Sequence, residues 1–296
     1  MNVAVAGGTG FIGKVILQKL VKAGHHVKAL IRPGSLLKIN KISGTESRYV
    51  YYDSPTQMVK TVEDCQAIIN LVGIISQTKD NTFDFAHHLI PMTLVKAVQD
   101  VGIKRFIQMS ALGVDGGPNI EYFETKRLGE NVVKASGLDW TVFRPSMVFG
   151  PGDHSVSMIA KLIKLAPMFP VVGDGKYEMM PVHVENVADS FVKALDKPET
   201  FGKTYDIPGP DKYTFDQLLD LIGQAIGKKS VAKMHLPAGL IILKARIIGA
   251  IFGGPLSADL IKMLTAGSVS SDDSFYKTFD IKPITFPEGI REYLKR

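Results

Sequence analysis

A doubly wound α/β fold, built on a parallel sheet with a smaller second lobe, is the architecture this 296-residue sequence predicts. Three observations carry it. Short β-branched runs alternate with longer amphipathic stretches through the first half of the chain, the rhythm of repeated βαβ units. The opening run Val3–Val5 passes directly into a glycine-rich turn and then into a helical pattern. After Arg144 the residues Pro145, Gly150, Pro151, Gly152 and Asp153 form a turn-rich break, and the later segments are less regular.

The expected strands are Val3–Val5, His26–Ile31, Arg48–Tyr51, Ala67–Leu71, Arg105–Met109 and Trp140–Arg144, with helices near Ile12–Ala23, Pro55–Val62, Phe85–Val101 and Glu121–Ser136. A sheet wound in this way binds ligands beyond the carboxyl ends of its strands. A helix over Val184–Leu195 and a strand over Lys203–Ile207 are expected to return to the main sheet. The main domain is therefore expected over 1–150 with about 181–207, and a discontinuous smaller lobe over about 151–180 and 208–296. No repeat of solenoid period and no low-complexity tail interrupts this pattern.

Apolar residues make up 45% of the chain, enough to fill the core of a globular enzyme-sized protein. Lys and Arg outnumber Asp and Glu by 35 to 29, yet the charges are scattered, which argues against a nucleic-acid surface. Cys65 is the sole cysteine, so neither an internal disulfide nor a cysteine-based metal site can form, in keeping with a reducing compartment. A strand beginning at Asn2 leaves no room for a signal segment, and a cytoplasmic location is expected. The most apolar later stretch, Leu236–Gly254, carries Lys244 and Arg246 about 200° apart around a helix, so its charges face opposite ways. That pattern favours a wall of the second lobe or of its substrate pocket over a membrane contact.

The run Val3-Ala4-Val5-Ala6-Gly7-Gly8-Thr9-Gly10-Phe11-Ile12-Gly13 contains G-x-G-x-x-G at Gly8, Gly10 and Gly13, at the first passage from strand to helix. Glycines permit a tight turn and close backbone approach to a pyrophosphate, and the helix start aims free N–H groups at the anion. The context makes this a dinucleotide-binding, Rossmann-type turn, with Gly7, Thr9, Gly10, Phe11, Ile12 and Gly13 against the cofactor. Where NAD binders carry an acid for the ribose 2′-hydroxyl, this chain has Ile31 and Arg32. A guanidinium pairs well with a 2′-phosphate, and Lys38 adds a second charge, so NADP(H) is expected in preference to NAD(H). Asp53 is placed either to meet the adenine amine or simply to cap a turn.

Tyr122 and Lys126 lie four apart on a predicted helix and so share a face; of the nine tyrosines only Tyr122 has a lysine at that spacing. A nearby ammonium lowers a phenol's pKa toward working pH, where it serves as general acid and base. Lys126 is also in a position to hold the nicotinamide ribose. Ser110, at the end of the fifth strand, is the candidate for holding a substrate oxygen or the Tyr122 hydroxyl.

These features resemble the short-chain dehydrogenase/reductase superfamily, in its extended and atypical branches that include the NAD-dependent epimerase/dehydratase proteins. FRPSMVFGPGD (Phe143–Asp153) is similar to the family's loop after the sixth strand, and PVHVENVADSFVKAL (Pro181–Leu195) to its returning helix. INLVGI (Ile69–Ile74), KRFIQMSALG (Lys104–Gly113) and the short Ser-to-Tyr gap resemble in particular the branch of the accessory NAD(P)H-binding subunit of respiratory complex I and its bacterial relatives. The resemblance implies an active site of Ser110, Tyr122 and Lys126, with Leu71, Gly73 and Pro145 to Val148 lining the cofactor. Ser110 precedes Tyr122 by only twelve residues, about half the usual gap in extended members, which implies a short intervening loop and a different substrate pocket.

His87 and His88 lack the spacing of a metal site and read as surface or lobe-contact residues. His183 reads as a hydrogen-bonded structural histidine, Arg144 as either a ligand contact or a loop anchor, and Met179 and Met180 as fillers of a pocket wall. Two functions follow. One is an NADP(H)-dependent oxidoreductase or epimerase-like enzyme acting on a small molecule. The alternative is a non-catalytic NADPH-binding accessory or assembly subunit of a respiratory-chain complex, docking through 236–252, peripheral to the inner face of a membrane.

Overall fold

The computed structural model describes residues 1–33, 42–237, 239 and 258–294. Lys38 and the stretch 240–257, with Lys244 and Arg246, lie outside the described residues. The first half of the chain runs β1 (Asn2–Ala6), α1 (Phe11–Lys22), β2 (His26–Ile31), β3 (Thr45–Tyr49), α2 (Pro55–Val62) and β4 (Ala67–Asn70). It continues through a π-helical turn (Phe85–Leu89) into α3 (Ile90–Val101), β5 (Arg105–Met109), α4 (Glu121–Lys134) and β6 (Asp139–Pro145). Beyond these come β7 (Val148–Phe149), α5 (Ser155–Leu165), β8 (Phe169–Val172), β9 (Glu178–Met179), β10 (Val182–His183) and α6 (Val184–Ala194). Then follow β11 (Lys203–Ile207), β12 (Tyr213–Thr214), α7 (Phe215–Ala225), β13 (Lys233–Leu236) and short helices over Ala258–Thr265, Ser274–Phe279 and Phe286–Leu294.

Seven parallel strands form the main sheet in the order β11-β6-β5-β4-β1-β2-β3. Strand order reverses on either side of β1, the arrangement that opens a crevice at the strands' carboxyl ends. Alternation along β1 sends Val3 and Val5 to one face, packed with Leu17 and Leu20 of α1 and Phe191 of α6. Ala4 and Ala6 go to the other face, with Met58 of α2 and Leu94 and Val98 of α3. Helices therefore cover both faces of a sheet whose central strands are buried. The smaller sheets β7–β10, β9–β12 and β8–β13, with α5, α7 and the helix Phe286–Leu294, surround a separate core that includes Phe149, Phe169, Phe215 and Phe286.

Two expected elements differ in detail. The third strand occupies Thr45–Tyr49 rather than Arg48–Tyr51, because its register is set by pairing with β2, from Val27 opposite Thr45 to Ile31 opposite Tyr49. As an edge strand it tolerates the polar run Thr45-Glu46-Ser47, which hid it from a hydrophobic reading. The helix expected over Phe85–Val101 opens with a π turn, and α4 comes very close to it: a Cβ on Gly129 would lie 2.0 Å from the His87 carbonyl oxygen. Among the described residues no helix is long and apolar enough to cross a membrane.

Gly129 thus sets how near α4 can sit to the turn that carries His87. Because the obstacle is backbone, Gly129→Ala is expected to destabilise the protein by about 2–3 kcal/mol. A urea unfolding midpoint equal to wild type would refute the close approach.

Candidate nucleotide and catalytic site

At the carboxyl end of β1 the chain turns where no side chain fits. Gly7 has φ +81, and a Cβ there would meet the Leu71 carbonyl carbon at 2.8 Å. A Cβ on Gly13 would lie 2.5 Å from the Gly7 carbonyl oxygen, so α1 packs backbone to backbone against the turn. The Gly10 N–H donates to the Gly7 carbonyl at 3.2 Å, closing the turn. Gly10 caps α1 with no side-chain hydrogen bond, and the first helical turn holds no acidic residue. The leading amides and the positive helix end therefore face the crevice unneutralised, an arrangement suited to a diphosphate. Thr9 is half-buried and Gly10 exposed, with Phe11 and Ile12 half-buried beside them.

Behind the turn, the Leu71 N–H donates to the Ala6 carbonyl at 2.9 Å. Buried Asn70 ties the end of β4 to β5, its Nδ2 donating to Gln108 Oε1 at 2.9 Å and its Oδ1 accepting from the Val72 N–H at 3.1 Å. Arg32 is exposed at the end of β2, and its charge is felt at the buried Tyr52 hydroxyl, just past β3. Asp53, next to Tyr52, is exposed in the turn that leads to α2. Arg32 and Asp53 thus occupy neighbouring strand ends on the β2–β3 side of the glycine turn.

On the opposite side, α4 presents Tyr122, Lys126 and Glu130 at successive four-residue steps, hence on one face. Lys126 is buried, and its Nζ lies where a Cβ on Gly73 would come within 2.9 Å. Lys126 and the loop residue Gly73 are therefore brought together. Burial lowers the Lys126 ammonium to a pKa of about 8, with Glu130 opposing the shift. Tyr122 departs from expectation: burial pushes its phenol up to about 12, opposite to the expected lowering. Its ring stands edge-on to Phe83, His87 and Phe123, with centroids 5.7, 5.2 and 5.2 Å away, and this apolar packing disfavours phenolate.

His87 is not a surface residue. It is 1% exposed, its Nε2 accepts from the Ile74 N–H at 3.1 Å, and its Nδ1 lies 3.1 Å from Thr125 Oγ1. Desolvation, with the Lys126 charge adding to it, drives its pKa down to about 2, so the ring stays neutral. His88, half-exposed, pairs instead with Asp84.

Ser110 is buried at the end of β5, its N–H donating to the Phe143 carbonyl at 2.7 Å. Its hydroxyl makes no well-formed hydrogen bond and sits beside the Glu130 carboxylate. Arg144 proves to be an anchor: Nε and a terminal nitrogen grip the two Glu130 oxygens at 2.8 and 2.6 Å, and the other terminal nitrogen reaches Asp115 at 2.6 Å. Lys134 also donates to Glu130, at 2.7 Å. Pro145, ending β6, accepts from the Leu112 N–H at 3.0 Å, and half-buried Val148 pairs with Val182 across β7 and β10. His183 caps α6, its Nδ1 accepting from the Glu185 N–H at 3.3 Å, and Met179 belongs to the smaller core. Asp153 accepts from the Gly150, Val156 and Ser157 N–H groups and from the Tyr293 hydroxyl.

His87 and Glu130 escaped the sequence reading. The stripe His87, Pro91, Leu94 and Val98 placed the first on the buried face, and one more four-residue step beyond Lys126 reached the second.

Residues 7–198 match the NAD(P)H-binding family, the stretch that runs from the glycine turn to just past α6. The chain belongs to that family. This NAD(P)H-binding protein has the extended short-chain dehydrogenase/reductase fold and is related to complex I accessory subunits. It is 29% identical over 225 residues to the mitochondrial NADH dehydrogenase [ubiquinone] 1 alpha subcomplex subunit 9 of Arabidopsis thaliana, covering 74% of this chain but 56% of that protein. With the mitochondrial NADH-ubiquinone oxidoreductase 40 kDa subunit of Neurospora crassa it shares 25% identity over 300 residues, 98% of this chain and 78% of that one. In fold it is similar to the dTDP-glucose 4,6-dehydratase of Bacillus anthracis, solved in complex with NAD, with TM-score 0.79 and 17% identity over 100% of this chain and 96% of the other.

The Arg144–Glu130 pair yields a test. Burial raises the Glu130 carboxyl, but hydrogen bonds from Arg144 and Lys134, aided by the neighbouring Ser110 hydroxyl, outweigh it and hold the group below its ordinary 4.5. Its contribution to stability is therefore complete above 4.5 and fades as pH falls through the lower folded-state value. Glu130→Ala, which strands a buried guanidinium, should cost about 3–5 kcal/mol. Glu130→Gln should flatten the acid limb of thermal stability; a limb as steep as wild type would refute the assignment.

Proposed function

We propose that the protein is an NADP(H)-dependent oxidoreductase or epimerase-like enzyme in which Tyr122 handles the proton and Lys126 tunes it and holds the nicotinamide ribose. The observation that carries this reading is the convergence of Lys126 Nζ and Gly73, beside a glycine turn that is walled by backbone. When bound, the nicotinamide supplies or accepts the hydride. The Gly7–Gly13 turn binds the diphosphate through its amides, and Pro145 and Val148 border the nicotinamide side. Tyr122, a neutral phenol at physiological pH, donates its proton to a substrate carbonyl oxygen as hydride arrives at the carbon, and takes it back in the reverse direction. The Lys126 ammonium, at about 8, stabilises the phenolate so formed. Arg32 takes the 2′-phosphate by charge-assisted hydrogen bonds, which favours NADP(H).

Relatedness to complex I subunits supports a second reading, a nucleotide-binding accessory subunit without turnover. Similarity to a bifunctional pinoresinol-lariciresinol reductase of Linum perenne, 24% identical over 253 residues, supports the enzymatic one. Oxidation of NADPH by quinones, sugar nucleotides or simple ketones decides between them. If turnover is found, Tyr122→Phe should lower it by about a hundredfold or more; an unchanged rate removes Tyr122 as the acid. Arg32→Asp should weaken NADPH binding by about tenfold or more while leaving NADH within about threefold. Equal losses for both nucleotides would overturn the NADP assignment.

A further inference from the structure

His87 is a buried titratable group that the proposed chemistry leaves unused, yet it contacts the Ile74 amide and the Tyr122 ring and lies near the Lys126 charge. We propose that His87 is a positioning residue: its Nε2 holds the Ile74 amide and its ring backs Tyr122, so that Gly73 stays against Lys126 Nζ. The proposal rests on the reading of Tyr122 and Lys126 given above.

Both ring nitrogens are committed. Because Nε2 accepts the Ile74 N–H at 3.1 Å, it carries no proton, and the proton of the neutral ring sits on Nδ1, facing Thr125 Oγ1 at 3.1 Å. The Thr125 hydroxyl donates to the Glu121 carbonyl at 2.8 Å, leaving its lone pairs to receive that proton. The tautomer is thereby set from two sides. A second proton would have to expel the Ile74 amide and would add a cation beside Lys126. The groups facing the ring from α4 are Lys126 and Tyr122, while Glu130 acts on Lys126 and Asp84, just before the π turn, is paired with His88.

The geometry around the ring has little slack. Phe83 stacks on it at 5.4 Å and Tyr122 meets it edge-on at 5.2 Å, and Gly129 lets α4 close on the His87 carbonyl. Ile74 adjoins Gly73, so the held amide fixes the loop backbone that faces Lys126. A π turn at this point fits a site where local geometry matters more than helix regularity. A plain core histidine would need only its packing; a positioning histidine needs its acceptor.

Titration of the full chain with NADPH, followed by nicotinamide fluorescence, separates the two. His87→Leu keeps an apolar bulk but strands the Ile74 N–H, and should weaken binding by about tenfold. His87→Gln offers a carbonyl oxygen to that amide and should stay within about threefold of wild type. Wild-type affinity in the leucine variant, or equal loss in both variants, overturns the positioning role and leaves the nucleotide reading standing. No binding by the wild-type chain overturns the nucleotide reading, and the proposal with it. Should the leucine variant not fold, the nitrogen-15 spectrum of the wild-type imidazole decides: an Nδ1–H tautomer unchanged from pH 7 to 5 is expected, and an Nε2–H tautomer or a titration in that range overturns it.

Discussion

Backbone crowding at the end of β1 is the constraint on which the remaining architecture depends. Where Gly7 passes Leu71 and Gly13 passes Gly7, main-chain atoms occupy the space a side chain would need. Only that crowding lets α1 begin so close to the sheet that its first amides open onto the crevice between β1 and β4. The bond from the Leu71 N–H to Ala6 and the Asn70–Gln108 pair hold β4 and β5 level with this turn. The chain thus arranges an anion-receptive surface from main-chain groups alone, and side-chain chemistry is left to α4 on the far side of the crevice.

Along α4 a single face carries three groups in graded surroundings. Tyr122 is flanked by three aromatic rings, Lys126 is buried beside a loop glycine, and Glu130 is gripped by Arg144 and Lys134. Desolvation acts on all three, but only the carboxylate has partners enough to reverse it. The result is a phenol that keeps its proton, an amine near its titration point and an acid held in its charged form near neutral pH one helical turn away. Arg144 joins this face to β6 and, through Asp115, to the short loop between β5 and α4, so α4 and the sheet are locked in register.

The strands β1, β2, β4, β5 and β6 were readable because short apolar and β-branched runs recur between amphipathic helices, and the glycine turn because its spacing has a mechanical reason. β3 slipped by a few residues since an edge strand owes its register to β2 and not to its own hydrophobicity. Helical spacing put Tyr122 and Lys126 on one face of α4, but spacing carries no information on solvent, so the direction of the Tyr122 shift was missed. His87 was hidden for a related reason: two adjacent histidines look polar, and only the partners Ile74 and Thr125, from a distant loop and another helix, make one of them a core residue.

Asp153 ties together parts of the chain that are far apart in sequence. One carboxylate satisfies the Gly150 amide just past β7 and two amides at the start of α5, and also receives the hydroxyl of Tyr293, from the helix Phe286–Leu294. The loop that follows β7 is thereby moored to that helix, so any widening of the crevice on this side must either break the mooring or drag the helix along. Opening and closing would then be the swing of a braced panel, not the flutter of a loose loop.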